Sequence, residues 1–200
     1  MRILYSFLAL IPFLVEASVV GITTHPLPEK SRLLSGSMTG YLSERHEIGA
    51  GIRYTQELEV DELFDLFVSG AQHSREYLIG GGVDFQVLSE TEDHPRISVK
   101  PFYQYQKFEE SKNGIIGFAP TLRKSFTFYD YSLFPYLAIP SGIKIDSHSD
   151  IFSYYASLTL GASFPLPIEG GEKLLVSLET NKNMGASSDY VGVLLSWVWR

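Results

Sequence analysis

Between Ile151 and Phe164 the chain reads IFSYYASLTLGASF, and its side chains separate by parity. Phe152, Tyr154, Ala156, Leu158, Leu160, Ala162 and Phe164 form one oily row, opposed by Ile151, Ser153, Tyr155, Ser157, Thr159, Gly161 and Ser163. Successive side chains of a strand leave on opposite faces, so the pattern predicts a strand with one apolar and one largely polar face. Globular strands average about five or six residues, whereas a strand tilted across a bilayer needs roughly nine to eleven. Alternation sustained over this length leaves two architectures. One is a barrel that turns its oily rows to lipid, and the other is a soluble antiparallel barrel that buries them inside.

The same period recurs along the chain. In YLIGGGVDFQVL, Tyr77, Ile79, Val83, Phe85 and Val87 oppose Gly80, Gly82, Asp84 and Gln86. In RISVKPFYQYQK, Ile97, Val99, Tyr103 and Tyr105 oppose Ser98, Lys100, Gln104 and Gln106. IGAGIRYTQ and KLLVSLET carry Arg53 and Glu179 on their more polar rows, and the final YVGVLLSWVWR aligns Val191, Val193, Leu195, Trp197 and Trp199. Short polar stretches separate the segments: SERHE, HSRE, SETEDHP, EESKNG, DSHSD, IEGGEK and NKNMGASS. Such clusters are turn signals. The reading is an all-β, antiparallel, up-and-down transmembrane barrel of about ten strands, with eight to twelve open, running from near Leu34 to Trp199. The boundaries around RKSFTFYDYSLFPYLAIP are the least defined. Pro101, Pro120, Pro135 and Pro140 fall in or beside candidate strands. Each removes a ladder donor, and a closed barrel has no edge to hide it, so each is expected to mark a bulge or a strand end.

The beginning of the chain, MRILYSFLALIPFLVEASVV, places Arg2 before an apolar stretch from Ile3 to Val15, with Val15 and Ala17 in the small-residue pattern of a cleavage site. This is the build of a secretory signal peptide over residues 1–17, too short in its apolar part to serve as a spanning anchor. Residues 18–33 read as a periplasmic lead-in and 34–200 as the barrel domain. Removing the signal deletes Arg2 and Glu16 together, so the net charge stays at −7. The acidic balance argues against a nucleic-acid partner, whose backbone demands clustered Lys and Arg. The chain has no cysteine, so neither a disulfide framework nor a cysteine-linked lipid anchor is available.

With its signal peptide, dyad strands, aromatic strand ends and apolar last strand, the chain resembles the small bacterial outer-membrane β-barrels. The resemblance is architectural and covers nearly all of the mature chain. It implies a bacterial outer-membrane location, contact with outer-membrane lipids, a porin-like class of fold, and insertion by the barrel-assembly machinery. That machinery recognises a terminal aromatic residue, often Phe; here Trp199 is penultimate and Arg200 last, so the signal is shifted by one.

Candidate interior residues are Arg53, Asp65, Asp84, Lys100, Arg123 and Glu179, with Gln86 and Gln104 on the same polar rows. Both charge signs occur, which suits paired charges filling a narrow lumen, as barrels of about eight strands do. A small pore with a charged, solute-selecting lining is the other reading. Candidate lipid-facing residues are Phe152, Leu158 and Leu160 together with Val193, Leu195, Trp197 and Trp199.

Catalysis finds little support. Outer-membrane lipid A deacylases use a His and a Ser two apart on one strand face, and none of His25, His46, His73, His94 or His148 has a Ser two residues later. His73–Ser74 and Ser147–His148–Ser149 are adjacent pairs that a strand sends to opposite faces. His46 with Glu44 and His148 with Asp150 could share a face, but read as solvated turn residues. No Cys, His and carboxylate cluster has metal-ligand spacing, and the LIGGGVDF glycines lack the helix that a phosphate loop opens. The sequence therefore predicts no metal, no cofactor and a non-enzymatic envelope role: structural, limited permeability or surface interaction. A lipid-modifying outer-membrane hydrolase and a soluble periplasmic lipocalin-like carrier are the alternatives.

Overall fold

Most strands pair with the next one along the chain, and the last pairs with the first. In the computed structural model the strands are β1 (Arg32–Tyr41), β2 (Ile48–Glu59), β3 (Glu62–Ala71), β4 (Tyr77–Leu88), β5 (Arg96–Phe108), β6 (Ser111–Arg123), β7 (Phe126–Phe128), β8 (Tyr131–Ala138), β9 (Ser141–Asp146), β10 (Phe152–Pro165), β11 (Leu174–Asn183) and β12 (Tyr190–Trp199). The structure describes residues 31–42, 48–59, 62–71, 77–108, 111–129, 131–146, 152–166, 174–184 and 189–199. The expected signal peptide and almost all of the lead-in lie outside these residues, as do His25, His46, His73 and His148.

Antiparallel pairing runs unbroken from β1 through β6. β10 pairs β11, β11 pairs β12, and β12 returns to β1 from Arg32↔Trp199 to Tyr41↔Tyr190. The wall between β6 and β10 is filled by β8 and β9 together. Their register is the same on both sides of the break: Thr121 faces Ala138 and Phe118 faces Ser141, while Thr159 faces Ala138 and Ala156 faces Ser141. β8 and β9 are therefore one wall strand interrupted at Ile139–Pro140, and the described strands close a barrel of ten positions. Among the described residues, closure leaves the wall strands no open seam, and the one free edge is that of β7 and the start of β8.

The prolines behave differently from the sequence expectation. Pro101 faces Phe118, Pro120 faces Val99 and Pro135 faces Ala162, each within a strand whose register passes through unchanged. Only Pro140 sits where a strand stops, after β8. Register shifts occur instead at Glu57/Glu59 and Gln86/Leu88. Proline removes one donor but leaves its carbonyl and the flanking residues to hold the ladder. At Pro101 the loss is local: β4 pairs β5 at Gly82↔Phe102 and again at Phe85↔Val99, with the same register.

Alternation sorts the side chains as strand geometry requires. In β12, Tyr190, Leu194, Ser196 and Val198 are buried, whereas Val193, Leu195 and Trp197 are exposed. In β10, Ser157, Thr159 and Ser163 are buried and Phe152, Tyr154 and Leu160 are exposed. The inside is thus largely polar and the outside apolar. Two turn assignments shrink, because polar rim residues extend the ladders: Asn113 pairs Gln106 in β6, and Asn181 pairs Tyr190 in β11. The first strand begins at Arg32, ahead of the expected Leu34.

Candidate functional site in the barrel interior

Two glycines decide how the interior is crossed. Asp65 on β3 faces Gly82 on β4, and a Cβ at Gly82 would lie 3.2 Å from the Lys100 Cε. Without that Cβ, Lys100 on β5 passes over β4 and pairs with Asp65, whose other oxygen accepts from Thr55 Oγ1 at 2.5 Å. The device repeats on the far wall. Gly161 on β10 lies between Tyr136 on β8 and Glu179 on β11, and its Cβ would collide with the Tyr136 ring at 2.4 Å. The Tyr136 hydroxyl reaches over it to donate to Glu179, and the Tyr190 hydroxyl of β12 donates to the second Glu179 oxygen. Charge buried away from water is costly unless paired or hydrogen-bonded, and both carboxylates meet that condition.

Arg53 lies over the Phe67 ring, its Cζ 5.4 Å from the ring centroid. Its Nε and one terminal nitrogen have no hydrogen-bond partner among the described residues, and the same holds for both amide atoms of the fully buried Gln104. Asn181 donates to Ser157 and Thr159 across the β10–β11 ladder, extending the polar network along the inner wall.

A second cluster sits towards the end that carries the chain termini. Arg96 approaches Asp84 at 3.7 Å, and Arg123 approaches Glu90 at 3.4 Å. Glu90, in the turn between β4 and β5, accepts from the Ser125 backbone N–H at 2.5 Å and from its hydroxyl at 2.9 Å. Partial burial pushes the Glu90 carboxyl up, but the Ser125 bonds and the nearby Arg123 outweigh it and hold the group below its ordinary value. Lys124 Nζ donates to the Thr91 and Glu92 carbonyls at 2.6 and 2.7 Å.

Arg53, Asp65, Asp84, Lys100, Gln104, Arg123 and Glu179 are all buried. Arg53, Lys100 and Glu179 lie within electrostatic reach of one another, with Asp65 on Lys100, while Asp84 and Arg123 belong to the cluster nearer the termini. Gln86 is half-buried near the same end and donates to Ser89 at 2.8 Å. On the outside, Phe152, Leu160, Val193, Leu195 and Trp197 are exposed, whereas Leu158 and Trp199 are half-buried, Trp199 against Tyr54. Tyr136, Tyr190, Thr55 and Arg96 complete the interior and escaped the sequence reading. Arg96 shares the parity of Lys100 and Tyr190 that of Ser196, so both could have been found from that; Tyr136 carried no such signal, because both rows around it hold aromatics.

His94 is the histidine within the described residues; it is exposed, and its backbone N–H donates to Thr91 Oγ1 at 3.1 Å. Among the described residues no group of three His, Cys, Asp or Glu is placed to hold a metal ion.

No protein-family model matches the sequence, and no curated protein matches it. Solved structures do. An outer membrane channel from Pseudomonas putida F1 aligns at a TM-score of 0.51 with 6% identity, over 92% of this chain and 100% of that one. The KdgM porin in complex with disordered oligogalacturonate aligns at 0.44 with 8% identity, over 84% and 99%. A de novo designed transmembrane β-barrel aligns at 0.43 with 10% identity, over 88% and 100%. The likeness of fold rests on the first of these. The chain has the fold of a transmembrane β-barrel. Its strand lengths agree: β1 has 10 residues and β10 has 14, where about nine to eleven suffice to cross.

Proposed function

We propose that the chain sits in a bacterial outer membrane as a barrel with a filled interior and serves the envelope without catalysis, as a structural or surface-interacting element. The observation that carries this reading is the set of side chains joined across the inner wall: Lys100 to Asp65, and Tyr136 and Tyr190 to Glu179. Together with buried Arg53 and Gln104 they lie inside a ten-strand barrel, little wider than the eight-strand barrel whose lumen side chains fill. Phe152, Leu158, Leu160, Val193, Leu195, Trp197 and Trp199 then face outer-membrane lipid, and β12 is the strand that the barrel-assembly machinery engages. A soluble carrier requires the opposite arrangement, with oily rows inside and polar rows out.

Planar-bilayer recording of the refolded protein tests the reading, with lipid A mass analysis after overexpression beside it. The expected results are no steady ion-sized conductance and no lost or added acyl chain. Steady channels would replace the filled barrel with a pore, and an altered lipid A would move the assignment to a hydrolase.

A further inference from the structure

The wall does not end evenly. Phe126 faces Leu133 and Phe128 faces Tyr131, in the same register that joins Arg123 to Tyr136, so β7 continues β6 past its last barrel pair. Tyr131 to Leu133 pair only with β7; the first contact of β8 with β10 is Phe134↔Ser163. A two-stranded hairpin therefore overhangs the end of the barrel that carries the chain termini. At roughly 3.3 Å per residue, the five steps from Arg123 to Phe128 extend it by about 16 Å.

Parity continues along with register. Phe126 and Phe128 follow Phe118 and Leu122 on the outward row of β6, and Tyr131 and Leu133 precede Leu137 on the outward row of β8. All four are exposed, Phe128 at 60% and Tyr131 at 61%, and the two Phe rings stack at 6.3 Å. The opposite face carries Thr127 and Ser132. Tyr129, at φ 54°, turns the tip and is 98% exposed. The base is fastened to the β4–β5 turn through Ser125, Arg123 and Lys124, so the hairpin has a fixed setting relative to the wall.

We propose that this hairpin is a membrane-interface anchor, its Phe126, Phe128, Tyr131 and Leu133 face lying in the headgroup–acyl boundary of the leaflet on the terminal side. The inference rests on the membrane reading above and adds a specific element to it. The occupant is lipid because the face continues the outward apolar rows of the wall without a break. It is the interfacial zone because the overhang ends in Tyr129 and Tyr131, whose amphipathic rings favour headgroup depth, and backs onto a polar face.

The chain has no cysteine, so single-cysteine variants accept one environment-sensitive fluorophore each. F128C and T127C report the two hairpin faces, and L195C reports the middle of the wall, in phosphatidylcholine–phosphatidylglycerol vesicles carrying lipid nitroxides or bathed in iodide. The label at 128 is expected to be quenched several-fold more by lipid nitroxide than the label at 127, with iodide giving the reverse order. Y131C and S132C form a second pair should F128C lose its heat-modifiable mobility. Equal quenching of both faces, with L195C still lipid-quenched, overturns the anchor alone. Protection at 128 that disappears on diluting the protein in the vesicles assigns the face to a second copy and also overturns it. If L195C itself is open to iodide, the barrel reading falls and the anchor with it.

Discussion

β12 and the interrupted β8–β9 strand do the same job at two places in the barrel wall, with β10 and β11 between them, by different means. β12 is continuous and pairs β1 and β11 along nearly its whole length. The β8–β9 strand carries Pro135 and Pro140, breaks at Ile139–Pro140 and shares its beginning with an overhanging hairpin. Both nevertheless keep one register with both neighbours. The difference shows that closure depends on register and parity rather than on every backbone bond. It also shows where side chains compensate, because Glu179 on β11 accepts from Tyr190 of β12 and from Tyr136 of β8.

The severest way to break the comparison is to remove the end of β12. Trp197 pairs both Leu34 and Leu174, so deleting Trp197–Arg200 opens the seam on two sides. Membrane assembly, followed by heat-modifiable mobility, is expected to be lost, whereas deleting Arg200 alone leaves it intact. The outward apolar rows offer a graded second test. Leu195→Arg, on β12 at the middle of the wall, is expected to cost about 2–4 kcal/mol, and Leu133→Arg, where β8 enters the hairpin, about 0–1 kcal/mol, because the penalty falls with distance from the midplane. Urea unfolding in vesicles reads both. Equal costs would remove the difference in depth between the two elements.

The same contrast explains what could be read from the sequence. β10 and β12 were legible because one row is uniformly oily and the other smaller or more mixed, so length, face and parity follow from the letters alone. The β6–β9 stretch was not. In SFTFYDYSLFPYLAIP both rows hold aromatics, since β7 and the start of β8 put Phe126, Phe128 and Tyr131 outside while Phe134 and Tyr136 turn inside. Proline carries no register information, so Pro120, Pro135 and Pro140 suggested interruptions where two of the three have none. The interior charges were legible one at a time from parity. Their partners were not, because Lys100 meets Asp65 across β4 and Tyr136 meets Glu179 across β10, through glycines whose neighbours only the pairing reveals.

Glu179 allows the two strands to be weighed against each other. Tyr190→Phe and Tyr136→Phe each remove one hydroxyl donor from a buried carboxylate, an interaction of about 1.5–3 kcal/mol. Each single change is expected to destabilise by that order in urea unfolding. The double variant should cost more than the sum, because Glu179 then loses both phenols at once. Strict additivity would mean that the two tyrosines act independently of the shared carboxylate.

A smaller and local effect separates the hairpin base from β12. Glu90 is held below its ordinary value by Ser125 and Arg123, so its contribution is complete above the unfolded carboxyl value and fades as pH falls through the folded one. Acidification through that window, below the usual carboxylate range, is expected to lower the protection of the Ser125 amide, its exchange taken relative to the intrinsic rate at each pH, before that of the β12 amides. Glu90→Gln should make Ser125 exchange faster at neutral pH and remove the acid dependence of its protection.

The smallest effect is expected at the break itself. Ser157 N–H donates to the Pro140 carbonyl at 2.9 Å, and in an antiparallel hydrogen-bonded pair the two residues exchange both bonds. Pro140 has no N–H to return, so the Ser157 carbonyl lacks the ladder donor that any other residue at 140 supplies. Pro140→Ala restores that donor, a gain of about 1 kcal/mol. It also frees the unfolded chain from the proline constraint, a loss of about 0.4–1 kcal/mol, and removes part of a buried ring. These terms nearly cancel, so the unfolding midpoint should hardly move. The register should not move either, because Ala138 and Ser141 are already placed for an unbroken strand. The sharper readout is the amide introduced at 140, which should exchange as slowly as that of Ser157. Fast exchange there would mean that the break comes from the curvature of the wall, with proline merely occupying a site where the ladder was already open.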